Sequence, residues 1–89
     1  MKNYYEEDQK LFEAVSSFKE GKQESYYVMY DLSIKYIYKI VHDIIKDYHE
    51  TVDLVQETYL TIYNKINTLE DVTKFYSWAG RIATNHTLR

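Results

Sequence analysis

No proline interrupts this chain of 89 residues, and it contains only two glycines. Proline breaks a helix interior because its ring clashes with the preceding turn and it lacks an N–H, and glycine weakens one through backbone entropy. A chain almost free of both, with apolar residues recurring every three or four positions, is all-α in fold class. Four helices are expected, packed as one compact bundle. The first runs from about Glu6 to Lys19, with Leu11, Phe12, Val15 and Phe18 inward and Gly21 as its C-terminal stop. The second opens near Ser25 and is the longest, with a seam of Tyr27, Tyr30, Ile34, Ile37, Val41, Ile44 or Ile45, and Tyr48. Asp47 to Glu50 reads as a short polar break. The third helix takes Thr51 as its cap and runs to about Ile66, burying Val52, Val55, Tyr59, Ile62 and Ile66. A polar loop from Asn67 to Asp71 surrounds Leu69. Thr73 is the expected cap of the fourth helix, whose inward face reads as Phe75, Ala79, Ile82 and His86.

This length suits a single domain, residues 1–89, with one modest core. Eleven tyrosines allow helices to be amphipathic without being strongly apolar, because each buries a ring and keeps a wet hydroxyl. The absence of cysteine fits a reducing, cytoplasmic setting. No apolar run approaches the roughly 18 residues of a membrane span, and the acidic start is unlike a signal peptide, so no membrane insertion is expected. His42, His49 and His86 are too scattered for a metal site, and no metal or cofactor is expected. There is no phosphate-binding glycine loop and no nucleophile with its base; Asp43 and Asp47 read as solvated helix charges. The chain is not expected to be an enzyme. The run Tyr26-Tyr27-Val28-Met29-Tyr30 reads as core packing that continues the seam of the second helix.

Net charge is −3, but its distribution is uneven. Residues 1–73 hold eight Lys/Arg and all fourteen Asp/Glu, a net of −6, whereas residues 74–89 hold Lys74, Arg81 and Arg89 with no acid, a net of +3. Such asymmetry marks where an anionic partner would bind, although three cations support only weak, salt-sensitive binding. Two surfaces stand out. On the third helix, Asp53, Gln56, Glu57 and Leu60 fall in one sector opposite the core stripe. That face suits charge-assisted, bidentate bonding to a basic partner helix, and it equally suits a solvated face whose acids favour the helix dipole. On the fourth helix, Lys74, Ser77, Trp78, Arg81, Asn85 and Arg89 project away from the core. Lys74, Arg81 and Arg89 would neutralise phosphates, Trp78 and Tyr76 would stack bases, and Asn85 and Arg81 would read exposed base edges. By angle alone Trp78 sits between this face and the core.

The run Asp53-Leu54-Val55-Gln56-Glu57-Thr58-Tyr59-Leu60, a polar loop, and then Phe75-x-x-Trp78-x-x-Arg81-Ile82-Ala83-x-Asn85 resemble region 2 of a bacterial RNA polymerase sigma factor. The closest type is the extracytoplasmic-function group, with its D-L-V-Q-E-x-F-L and F-x-x-W-L-x-x-I-A-x-N patterns. The resemblance covers about Leu11 to Arg89. It implies a non-catalytic transcription initiation domain working with core RNA polymerase. The helix bearing Asp53, Gln56, Glu57 and Leu60 would dock on the clamp helices of the β′ subunit. The loop from Asn67 and Thr68 to Val72 would form a pocket for a base flipped from the non-template strand of the minus-ten promoter element. Lys74, Tyr76, Trp78, Arg81, Asn85 and Arg89 would open and hold that single-stranded promoter DNA. An anti-sigma factor is a further partner by analogy.

The chain departs from the pattern in three places. Ala79 stands where leucine usually follows the tryptophan, and Gly80 after it costs about 1 kcal/mol of helix propensity, enough to kink or loosen the fourth helix. Glu70 and Asp71 make the loop acidic where the family is more basic. The C-terminal helix-turn-helix domain that reads the minus-thirty-five element is absent, and the chain stops at Arg89 in helical phase, which suggests a piece of a longer protein. A rival reading is a helical protein-interaction module, a sigma-derived remnant that binds polymerase or an anti-sigma without melting DNA. The two diverge at the fourth helix, where an initiation domain needs Trp78, Arg81 and Asn85 accessible.

Overall fold

A computed structural model describes residues 4–88. Four helices follow one another: α1 (Tyr4–Lys19), α2 (Ser25–Ile45), α3 (Tyr48–Lys65) and α4 (Phe75–Thr87), with short 3-10 turns at Ile66–Thr68 and Val72–Lys74 between the last two. The central helix is α2, which packs against the other three, while α3 and α4 also pack on each other. The bundle measures 34 × 33 × 20 Å. Its thin dimension is about two helix diameters, so every helix keeps one face in solvent.

Gly21 ends α1 as expected. It adopts φ 99°, its N–H donates to the Phe18 carbonyl (2.9 Å), and Lys22 N–H reaches back to Ser17 (3.1 Å). This paired pattern satisfies the carbonyls orphaned at a helix end and favours glycine at the left-handed position. The α2–α3 junction is shorter than the Asp47–Glu50 break read from the chain. Lys46 alone turns left-handed (φ 62°) and sends its N–H to the His42 carbonyl. Asp47, not Thr51, caps α3: its carboxylate accepts from Glu50 N–H at 2.9 Å. Thr51 is fully buried and donates to the Asp47 carbonyl at 2.6 Å. Likewise, α4 does not begin at a Thr73 cap. Asp71 accepts from both the backbone N–H (3.0 Å) and the hydroxyl (2.7 Å) of Thr73 at the head of the preceding 3-10 turn. The Thr73 hydroxyl and then its N–H hold the Asp71 carboxyl below the usual carboxylate range.

One core joins Leu11, Val15 and Phe18 of α1, Met29, Ile37 and Val41 of α2, Val55, Tyr59 and Ile62 of α3, and Phe75, Ala79 and Ala83 of α4, with Ile66 and Leu69 closing the α3–α4 loop. Val52, expected in the α3 stripe, is only half-buried. Two faces are rotated from the sequence reading. On α2 the buried row is Met29, Ser33, Ile37 and Val41, whereas Tyr27 and Tyr48 are 68% and 63% exposed and Tyr48 belongs to α3. A serine inside the row is what hides it from a hydrophobic pattern. The Ser33 hydroxyl donates to the Met29 carbonyl at 2.7 Å, which leaves it to accept from the Tyr59 hydroxyl at 2.6 Å. Burial raises the Tyr59 hydroxyl above its ordinary value, and the bond to Ser33 satisfies it. Ser33→Ala is expected to cost about 1–3 kcal/mol, because it strands that hydroxyl in the core; urea unfolding of the two proteins measures it, and a loss below about 0.5 kcal/mol would contradict the link.

On α4 the buried face is Phe75, Ala79, Gly80, Ala83 and Thr87, and Ile82 and His86 are half-buried. The helix is continuous through Gly80. A β-carbon on Gly80 would stand 3.1 Å from the Tyr36 hydroxyl and 3.3 Å from Ile40 Cδ1. Glycine here lets α4 lie close on α2, and that close contact offsets its propensity cost.

Candidate functional site

Asp53, Gln56, Glu57 and Leu60 are all exposed, and together they line one shallow depression on α3. Their positions follow from the buried row: with Thr51, Val55, Thr58, Tyr59 and Ile62 inward, a residue spacing of about 100° turns these four outward. Leu60 is 63% exposed, an apolar side chain that packing within the domain does not use. Because α3 starts at Tyr48, the acid in its first turn is Glu50. Asp53 and Glu57 stand beyond that turn, where the dipole effect has fallen off. A helix-stabilising role therefore explains Glu50 better than it explains this face.

The α4 surface is built on the opposite side of its own buried row. Lys74, Ser77, Arg81 and Asn85 are exposed. Trp78 is half-buried with its ring 6.2 Å from Phe75, so it is anchored on the core and still presents surface beside Arg81. Tyr76 does not join this row. Its half-buried ring packs edge-on against Tyr36 of α2 at 4.9 Å. Burial first, then Asp8, Glu7 and Tyr36, raise its hydroxyl above the ordinary value. Of the two aromatic rings assigned to base stacking, only Trp78 shares a side of α4 with Arg81 and Asn85. Arg89 lies outside the described residues.

Asn67 and Thr68 are exposed on the first 3-10 turn, and Thr68 Oγ1 donates to the Lys65 carbonyl at 2.7 Å. Buried Leu69 anchors the loop, and the Lys19 ammonium donates to its carbonyl. The depression at this loop is lined by Ser16, Lys19 and Glu20 of the first helical segment and its turn, facing Glu70, Asp71 and Val72. Those partners lie about fifty positions away in the chain, so no local pattern reveals them. A second link that local pattern does not reveal is the hydrogen bond between Thr61 Oγ1 and His86 Nε2 (2.9 Å), which ties α3 to α4.

A family model described as sigma-70 region 2 matches residues 29–89, which include both surfaces. The chain belongs to the sigma-70 region 2 family. It is similar to the extracytoplasmic-function RNA polymerase sigma factor SigW of Bacillus subtilis (strain 168), with 30% identity over 74 residues that cover 83% of this chain and 40% of that protein. This region 2 domain thus spans less than half the length of that curated relative. No solved structure matches the chain. Among the described residues no helix is long and apolar enough to cross a membrane, and no group of histidines or acids could hold a metal ion.

Proposed function

We propose that this region 2 domain docks on the β′ clamp helices of core RNA polymerase through Asp53, Gln56, Glu57 and Leu60, and that it then holds the non-template strand of the minus-ten element on α4. The observation that carries the reading is the separation of two exposed surfaces on packed neighbouring helices. One is acid and amide around a bare leucine; the other is cationic around a half-buried tryptophan. A basic partner helix satisfies the first with charge-assisted bonds while Leu60 fills an apolar gap. On the second, Lys74 and Arg81 neutralise phosphates, Trp78 offers a ring to an unstacked base, and Asn85 offers an amide to its edge. The loop carrying Asn67 and Thr68, with the depression beside Val72, takes the extruded base.

The two surfaces depend on each other energetically. Extruding a base costs a few kcal/mol, and so few cations in the last helix offset little of it. Docking supplies the rest by holding α4 in place against the opening duplex. The free domain is therefore expected to bind promoter DNA poorly. The C-terminal helix-turn-helix module expected of the family would read the minus-thirty-five element, a task outside this domain.

Trp78→Ala tests the α4 half of the reading. Polymerase binding should be unchanged, while capture of a fluorescent single-stranded minus-ten oligonucleotide by the complex weakens by about 5- to 150-fold, the equivalent of one lost stacking contact of about 1–3 kcal/mol. Equal capture by wild type and variant would remove Trp78 from the strand path. A thermal melt of the variant separates this loss from lost packing against Phe75.

A further inference from the structure

Tyr27, read from the sequence as core, instead helps form a bowl on the surface beside Tyr26, which packs half-buried against the core. Gln23, Tyr26, Tyr27, Leu60 and Tyr63 line it. The walls are fixed. The Tyr26 and Tyr63 rings meet edge-on at 5.5 Å, and both lean on Phe18 of the core, at 5.6 and 5.3 Å. The Tyr63 hydroxyl donates to Gln23 Oε1 at 3.1 Å, closing the bowl between α3 and the α1–α2 turn. Burial, before any neighbouring charge, raises the Tyr26 hydroxyl above its ordinary value. Yet Tyr27 is 68% and Tyr63 41% exposed.

Leu60 also lines the Asp53/Gln56/Glu57 depression, so the bowl and the acid-amide face are one continuous surface with a leucine at the join. We propose that the bowl is the apolar half of the docking surface, and that it receives a large apolar side chain from the same partner helix whose basic residues pair with Asp53 and Glu57. The proposal rests on the docking function above and adds the residue type that the partner must carry. An apolar guest follows from the lining. Among the described residues no carboxylate lines the bowl, so a cation entering it would lose water without gaining a counter-charge. The one amide oxygen there is already engaged by Tyr63. The carboxylates lie on the far side of Leu60, which sets the order of the partner's residues. Asp53 and Tyr63, the bowl's far wall on α3, are ten residues, or about 15 Å, apart along the helix. A partner helix running alongside therefore needs the basic residue that meets Asp53 and its large apolar residue two to three turns apart.

The test is titration of the domain with a β′ clamp-helix fragment at several salt concentrations, using wild type, Tyr27→Ser, Tyr27→Phe and Asp53→Ala, each checked for helicity and melting temperature. Tyr27→Ser should bind about tenfold more weakly with an unchanged salt dependence, as loss of an apolar anchor does. Tyr27→Phe should bind like wild type, because the ring and not the hydroxyl makes the wall. Asp53→Ala should weaken binding and also flatten its salt dependence. Wild-type affinity in Tyr27→Ser beside a weakened Asp53→Ala would overturn the bowl and leave the docking function standing. A Tyr27→Phe protein as weak as Tyr27→Ser would overturn the apolar guest. Failure of the wild type to bind the fragment would overturn the docking function and this proposal together.

Discussion

Replacing Asp53 and Glu57 together with alanine is expected to abolish polymerase binding while leaving the helical content of the domain unchanged. Truncating one member of a desolvated, hydrogen-bonded charge pair costs about 2–5 kcal/mol, largely because the partner's charge is left unmatched. Two such losses on one face exceed about 4 kcal/mol, or roughly a thousandfold in affinity. The fold should tolerate the change. Both side chains are exposed, both stand beyond the first turn of α3, and alanine has the highest helix propensity. Circular dichroism checks the helices, and calorimetric titration with core polymerase checks the interface. A double variant that binds within about threefold of wild type would remove the docking role of this face, since threefold is worth less than about 1 kcal/mol.

Phe75→Ala should do the reverse, weakening the fold rather than a surface. Among the described residues Phe75 is the largest fully buried side chain, at the entry to α4, with rings of Tyr76 and Trp78 at 6.0 and 6.2 Å. Phenylalanine-to-alanine changes in cores cost about 3–5 kcal/mol. A domain of this size has a total stability of roughly 5–10 kcal/mol, and each lost kcal/mol lowers the melting temperature by about 4–8 °C. A fall of about 15–30 °C is expected by thermal melt. Because α4 is seated on the core through this ring, strand capture should fail in the same temperature range as the fold. A shift under about 5 °C would mean that the core does not depend on this anchor.

Much of this architecture is legible in the chain, and the gaps have physical causes. Absent proline and recurrent apolar spacing suffice for four helices, and Gly21 marks the first turn because only glycine takes φ 99° without strain. The inward faces of α2 and α4 are less legible because small and polar residues sit inside them. Ser33 is core through two hydrogen bonds, and Gly80 is core because two helices approach closely; neither signals its burial by hydrophobicity. The caps lie a few residues before the threonines that the pattern suggests, since Asp47 and Asp71 compete with those threonines for the same role and local geometry decides between them. At the candidate surfaces, the exposure of Asp53, Gln56, Glu57, Leu60, Arg81 and Asn85 is readable from helical phase. The inward packing of Tyr76 and the outward display of Tyr27 are not, because a tyrosine fits either side of an amphipathic helix. Contacts such as Lys19 with the Leu69 carbonyl and Thr61 with His86 join distant segments and require the fold.

The central claim is that docking and strand capture are two halves of one activity. Its most direct measurement is fluorescence anisotropy of a labelled non-template minus-ten oligonucleotide, titrated with the domain alone, with core polymerase alone, and with both. The account predicts weak, salt-sensitive binding by either protein alone and tight binding by the two together, lost when Asp53 and Glu57 are replaced by alanine. Capture by the free domain as tight as that by the complex, or no gain when polymerase is added, would contradict it.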